Sequence, residues 1–131
     1  MSYRWVNHTA EVELEIEAPG EREVLEDALR ALAELLGVRG VGRADTREVT
    51  VDAPDRPALL AAWIEELAFL AESEGFVATG VDDIDIGENN VRATVSGVLD
   101  EPPPLVKAAT YHRLAFEPSD GGYVARVVLD V

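Results

Sequence analysis

Residues 11–18 read Glu-Val-Glu-Leu-Glu-Ile-Glu-Ala, a strict alternation of acidic and apolar side chains. Successive side chains of a strand point to opposite faces of a sheet, so this period predicts a half-buried strand. The apolar residues would face a core and the four glutamates the opposite side. A Pro-Gly pair at residues 19–20 ends the segment.

Two helices are predicted downstream of this strand. Residues 21–36 carry apolar side chains at helical spacing, with acids in the first turn and Gly37 as a natural stop. A second helix opens at Asp55, a suitable N-cap, and ends before Gly75. Its wide apolar stripe, which predicts a central position on a sheet, consists of Leu59, Leu60, Trp63, Ile64, Leu67 and Leu70.

The remaining chain is predicted to be mostly strand. A turn at 87–90, a stiff Pro102-Pro103-Pro104 connector and a hairpin loop at 118–122 punctuate it. This order predicts an α+β class, a two-layer sandwich with two helices packed on one face of a mostly antiparallel sheet. Residues 1–131 are expected to form a single domain, since no repeat, second core or long linker is evident. The further strands are predicted at 46–52, 76–86, 91–99, 110–117 and 122–130.

The charge balance limits the functions open to the chain. Eleven basic against 26 acidic residues give a net charge of −15. Nucleic-acid binding draws much of its affinity from Lys and Arg, so no strong direct binding is expected. The charge suits approach to a basic protein or concentration of divalent cations, and a solubility charge or high-salt adaptation explains it equally well. With no cysteine, no signal-like start and no membrane-spanning run, we expect a cytoplasmic protein without a membrane partner.

The end of the chain is a candidate cation site. Residues 123–131 predict a strand that continues to the last residue and delivers the Asp130 side chain together with the Val131 carboxylate. Clustered oxygens of this kind bind Ca²⁺ or Mg²⁺, and a third carboxylate from another strand would complete the site. The alternative is a strand that simply stops. Lys107 also stands out as the one lysine among eleven basic residues, although chance explains a single lysine too.

Other motifs favour ordinary structural roles. Residues 82–85, Asp-Asp-Ile-Asp, lack the spacing of a calcium-binding EF-hand and predict a solvated strand face. His8 and His112 lack a helical zinc-binding spacing, so hydrogen-bonded loop positions are favoured over a zinc site. No nucleophile elbow, phosphate-binding loop or dinucleotide motif is present. The sequence therefore gives no support for a free-standing enzyme.

Three segments resemble the archease family. They are residues 8–12, His-Thr-Ala-Glu-Val; residues 106–112, Val-Lys-Ala-Ala-Thr-Tyr-His; and residues 125–131, Ala-Arg-Val-Val-Leu-Asp-Val. Residues 59–67 fit the family's Leu-Leu-x-x-Trp-Leu-x-x-Leu helix pattern. The match runs essentially from end to end of the chain.

The resemblance implies an archease-like fold and a non-catalytic role. Archease is the protein cofactor of the GTP-dependent tRNA-splicing RNA ligase, promoting its guanylylation and multiple turnover in tRNA processing and RNA repair. The resemblance further implies a divalent metal, calcium first with Mg²⁺ or Mn²⁺ as alternatives, bound by Glu11, Asp130 and Val131. Lys107 would be the family's functionally important lysine.

Two positions depart from the family pattern. Glu11 stands where Asp is usual, so the ligand is one methylene longer, and Asn7 stands where the residue before the histidine is often acidic. The other motif residues are interpreted as positioning residues, with purely structural hydrogen bonding as the alternative. They are His8, Thr9, Tyr111 and His112.

Two rival functions remain open: a metal-dependent hydrolase using the same carboxylates, and a cation-binding or chaperone-like protein without a ligase partner.

Overall fold

Seven strands and two helices make up the part of the chain that the computed structural model describes, residues 2–8, 11–37, 43–100 and 108–130. None of the helices in these ranges is both long and apolar enough to cross a membrane. In chain order the elements are β1 (Ser2–His8), β2 (Glu11–Ala18), α1 (Glu21–Leu35), β3 (Arg43–Asp52), α2 (Arg56–Glu74), β4 (Phe76–Ile86), β5 (Asn90–Leu99), β6 (Ala108–Ser119) and β7 (Gly122–Asp130).

The strands form two antiparallel sheets. A four-stranded sheet has the order β1-β2-β7-β6, and a three-stranded sheet has the order β3-β5-β4. The predicted α+β class with two helices is confirmed. The strands are divided between two sheets instead of one, and each helix contacts strands of both. The reason lies in α2, which buries apolar residues around most of its circumference and therefore needs cover on more than one side.

Helix α2 begins and ends where the sequence predicts. The Asp55 side chain accepts a hydrogen bond from the Ala58 N–H at 2.8 Å, and Gly75 closes the helix with a left-handed φ of 67°. Trp63 is fully buried, and its Nε1 donates to the Leu25 carbonyl at 3.0 Å. This hydrogen bond joins α2 to α1 at the centre of the core.

Strand β2 shows the predicted alternation with one exception. Leu14 and Ile16 are each 1 % exposed and face the core. Glu13 points to the opposite face, yet it is only 2 % exposed. Below, "outer face" means the side of the four-stranded sheet that carries Glu13 and the other glutamates of β2. Other residues must therefore shield the Glu13 side chain from solvent on that face, and they belong to the candidate site described below.

Strand β1 was not predicted. It pairs with β2 from Ser2 opposite Glu17 to His8 opposite Glu11. Its apolar residues are few and are mixed with charged and polar ones, so it depends on this long-range pairing more than on a local pattern. The hairpin between β6 and β7 is also tighter than predicted, because Asp120 and Gly121 both adopt positive φ in a two-residue turn.

Candidate functional site

Backbone pairing brings several predicted residues to one end of the four-stranded sheet. His8 lies opposite Glu11, Glu11 opposite Asp130, and Asp130 opposite Ala108. Directly opposite residues of antiparallel strands have Cα atoms about 4.5–5.5 Å apart and share a face of the sheet. Glu11 and Asp130 are therefore neighbours on the outer face, where Glu11 is half-buried and Asp130 is exposed. We call these four positions the end row.

Three predicted site residues lie outside the described residues. They are Thr9, Lys107 and Val131, and the side chain of His8 is likewise outside the description. In the sequence, Lys107 directly precedes Ala108 and Val131 directly follows Asp130. The roles assigned to these residues stay predictions.

The described part of the end row supplies two carboxylates. No described group of three or more His, Cys, Asp or Glu side chains is arranged to hold a metal. The third predicted donor belongs to Val131, which lies outside the described residues. Within the described residues, no ion pair involves Glu11 or Asp130. Both carboxylates therefore lie on the outer face without a described cationic neighbour.

Strand β6 departs from regular pairing just beyond the end row. Thr110 lies opposite Val128 and Ala115 opposite Arg126, so residues 111–114 of β6 stand where β7 has one residue. We call residues 111–114 the β6 bulge. The strand predicted at 110–117 is confirmed, but its irregularity was not predicted, because no glycine or proline in the segment signals it. Within the bulge, Tyr111 is 71 % exposed and His112 is also exposed.

Arg113 connects the β6 bulge to the outer face. It adopts a left-handed backbone with φ of 59°, which is uncommon for a residue with a side chain. Its Nη1 lies 3.0 Å from Oε1 of the buried Glu13. The contact is an ion pair without the angles of an aligned hydrogen bond. The carbonyl oxygen of Arg113 in turn accepts a hydrogen bond from Arg126 Nε at 2.8 Å. Sequence reasoning missed this contact, since nothing in the spacing links Glu13 to Arg113.

A second ion pair lies further along the same face. Arg4 Nε is 2.6 Å from Glu15 Oε1. The Arg4 guanidinium, through its hydrogen bond, holds the pKa of Glu15 below its ordinary value. Glu13 and Glu15 thus each have an arginine partner, whereas the carboxylates of the end row have none among the described residues.

A cleft of about 330 Å³ lies at the opposite end of this sheet. Ser2, Glu17, Asp120 and Tyr123 are among its lining residues. None of the predicted functional residues that the structure describes lines it. The predicted chemistry and this cleft are therefore separate features of the molecule.

Comparison with known proteins shows end-to-end similarity to one family. The chain matches the model of the archease protein family over residues 3–131. The protein archease of Thermococcus gammatolerans is 35 % identical, with 98 % of this chain and 99 % of that protein covered. The protein archease of Methanosarcina mazei is 32 % identical, with 98 % of this chain and 95 % of that protein covered.

Solved structures show the same fold. The solution structure of a Methanobacterium thermoautotrophicum protein has a TM-score of 0.72 and 26 % identity, with 98 % of both chains covered. A Thermotoga maritima crystal structure, described as an archease and possible chaperone, has a TM-score of 0.69. At 22 % identity, with 100 % of this chain and 98 % of that chain covered, it supports the fold alone. The match to the family model over nearly the whole chain places this protein in the archease family.

Proposed function

We propose that this archease is a non-catalytic activator of the GTP-dependent tRNA-splicing RNA ligase. It would promote guanylylation of the ligase and its multiple turnover during tRNA splicing and RNA repair in the cytoplasm. One observation carries the proposal: Glu11 and Asp130, the two described acids of the family's motifs, lie directly opposite each other on adjacent strands. Family membership makes the ligase the partner to test first.

The end row fits a divalent cation by the chemistry of its donors. Glu11 and Asp130 offer carboxylate oxygens, the ligands that Ca²⁺ prefers, with Mg²⁺ and Mn²⁺ as alternatives. Val131, the third predicted ligand, would add a donor next in sequence to Asp130. When bound, the cation would supply positive charge at an otherwise acidic surface. Because Glu11 is longer than the usual aspartate, it would bind from further out or through both oxygens.

The net charge supports a basic protein as the partner. At −15, this chain is repelled by RNA phosphates but attracted to the basic surface that an RNA-binding enzyme presents. Lys107, His8, Thr9, Tyr111 and His112 would position the partner or its phosphates around the cation. Their motifs border the end row in sequence.

A turnover assay with the cognate ligase tests the activator role. The ligase alone, and the ligase with this protein, are assayed for GMP attached to the enzyme and for joined RNA. We expect the wild-type protein to increase both signals. Asp130→Asn should lose most of this stimulation, whereas Asp83→Asn should keep it, because Asp83 is an exposed acid of β4 in the other sheet. Equal activity with and without the wild-type protein would contradict the proposal.

Calorimetry on the isolated protein tests the cation site separately. Glu11→Gln removes one charge without changing the length of the side chain and should weaken Ca²⁺ binding by about tenfold or more. Glu11→Asp restores the usual family residue and should keep or strengthen binding. Identical Ca²⁺ binding by wild type and Glu11→Gln would remove Glu11 from the site.

The same experiments separate the rival functions. The Thermotoga maritima relative is described as a possible chaperone, so a chaperone-like role is the specific alternative. Suppression of client aggregation without any effect on the ligase would favour that role. Turnover of a phosphate ester by the isolated protein, abolished by Asp130→Asn, would favour a metal-dependent hydrolase.

A further inference from the structure

The β6 bulge has an unfavourable local conformation that its surroundings must stabilise. Residues 111–114 lack regular pairing with β7, and Arg113 adopts a positive φ, a conformation that glycine adopts more easily than other residues. Strain of this kind persists where neighbouring contacts hold it, and it clusters at functional segments. The contacts that hold this bulge are therefore informative.

Two arginines hold the bulge across β7. The Arg113 guanidinium reaches Glu13 on β2, the strand beyond β7, and the Arg113 carbonyl is bound by Arg126 on β7 itself. Glu13 is 2 % exposed, and Val128, which lies opposite it on β7, is 1 % exposed, although both side chains point to the outer face. A buried carboxylate needs its cationic partner, so the Glu13–Arg113 pair favours one arrangement of the bulge.

The held bulge exposes an aromatic side chain next to the end row. Tyr111 is 71 % exposed and follows Thr110, which lies two residues from Ala108 of the end row. Tyrosine and arginine are the residue types that most often dominate protein–protein binding energy. A rigid, exposed tyrosine loses little conformational freedom when it is buried by a partner. The end row, three residues back along β6 from Tyr111, carries Glu11 and Asp130, and these acids favour a partner with a basic surface.

We propose that Arg113 is a positioning residue that, through Glu13, fixes the β6 bulge so that Tyr111 anchors a basic protein partner beside the end row. This inference rests on the proposed function, and the partner it commits to is the RNA ligase. The end row would supply the cation, and Tyr111 would supply the contact area. Removing the anchor should therefore weaken docking.

The first test measures the rigidity of the bulge in the isolated protein. Backbone ¹⁵N order parameters of residues 111–114 should be about 0.85 in the wild type and fall below about 0.6 in Arg113→Gly. Glycine suits the positive φ, so this variant removes the guanidinium without adding backbone strain. Arg113→Lys keeps the charge and should retain most of the order. Arg92→Ala, an exposed arginine of β5, is the matched control and should leave the bulge unchanged.

A second variant guards against loss of folding. Arg113→Gly leaves the Glu13 carboxylate buried without its partner, which destabilises the protein. The double variant Glu13→Gln, Arg113→Gly removes that charge and should recover stability while the bulge stays mobile. If the bulge keeps its wild-type order parameters in the folded double variant, the positioning role is wrong, whatever the ligase does.

The second test titrates the ligase with these variants. Tyr111→Ala and the double variant should raise the concentration for half-maximal stimulation by at least tenfold. Tyr111→Phe should behave as the wild type, since the ring supplies the contact. Asp130→Asn should lower the maximum instead. An unchanged half-maximal concentration with Tyr111→Ala overturns the anchor, whereas wild-type protein that fails to stimulate overturns the proposed function and leaves the test of the bulge intact.

Discussion

Trp63 joins the two helices through both packing and a hydrogen bond. It is fully buried, and its indole N–H donates to the Leu25 carbonyl at 3.0 Å. A buried indole is favourable only where its N–H finds an acceptor, so the position requires a ring of this size with a donor at this place. Phenylalanine has a smaller ring and no N–H donor, so it meets neither requirement in full.

Trp63→Phe should lower the free energy of unfolding by about 1–3 kcal/mol, because the variant loses the hydrogen bond and part of the buried ring. Urea denaturation followed by circular dichroism measures the change. Phe69→Ala on the same helix is the control, since Phe69 is 57 % exposed and its loss should cost no more than about 0.5 kcal/mol. Equal losses for both variants would show that burial does not determine the cost on this helix.

Asp27 is a buried acid with incomplete hydrogen bonding. It is 3 % exposed, its Oδ1 lies 3.4 Å from Arg30 Nη1, and its Oδ2 has no hydrogen-bond partner among the described residues. Burial raises the pKa of Asp27 above the ordinary 3.8, and Arg30 opposes the shift. Between the ordinary and the raised pKa, the folded protein holds a proton that the unfolded chain has released.

The stability that Asp27 contributes is therefore full below the unfolded pKa and is lost as the pH rises through the folded pKa. Asp27→Asn does not titrate, so the free energy of unfolding of the variant should rise relative to that of the wild type as the pH increases from 3.8 through the raised pKa of Asp27. Denaturation at several pH values measures the difference, and a ¹³C titration of the Asp27 carboxyl assigns it. A difference that stays constant over this range would contradict a raised pKa.

At the scale of the elements, Gly97 of β5 lies tightly against the backbone of β4. A Cβ atom at Gly97 would overlap the Val77 carbonyl oxygen and would lie 2.8 Å from the Ala78 Cα, so its neighbours are backbone atoms that cannot easily move. A Cβ at Gly80 on the facing strand would meet only the Ser96 hydroxyl, at 3.7 Å. The two glycines therefore differ in the space around them.

Gly97→Ala should destabilise the protein by about 3 kcal/mol or more, because the strands must separate or the backbone must shift. Gly80→Ala should stay within about 0.5 kcal/mol of the wild type. Thermal unfolding of both variants measures the contrast. If Gly97→Ala unfolds at the wild-type temperature, the close approach of the strands is wrong.

Local patterns predicted the elements better than the contacts between them. The alternation of β2 and the caps of α2 are properties of a few adjacent residues, and the structure confirms them. Strand β1 and the division into two sheets depend on pairing between distant segments, and no local sequence pattern indicates such pairing. In the candidate site, motif resemblance pointed to Glu11 and Asp130, and the register places them opposite each other. The β6 bulge escaped prediction because no local pattern marks its register shift against β7 or the contact between Arg113 and Glu13, one hundred positions apart.

At the scale of the whole molecule, charge opposes the compact state. The net charge is −15 on 131 residues, so the excess acidic side chains repel one another when folding brings them closer together. Salt screens this repulsion. A specific cation site would add a second kind of stabilisation, because a ligand that binds only the folded state raises its stability by mass action. Screening and specific cation binding differ in the salt concentration that they need and in the residues that they require.

We therefore expect both NaCl and CaCl₂ to raise the melting temperature, with CaCl₂ more effective at matched ionic strength. Calcium at about one hundred times its dissociation constant should add about 2.7 kcal/mol to the free energy of unfolding through the site. Asp130→Asn should lose this increment and keep the response to NaCl, since it changes the total charge by one unit among fifteen. If the two salts act equally at matched ionic strength on wild type and variant, cations stabilise this protein only by screening, and the end row is not a cation site.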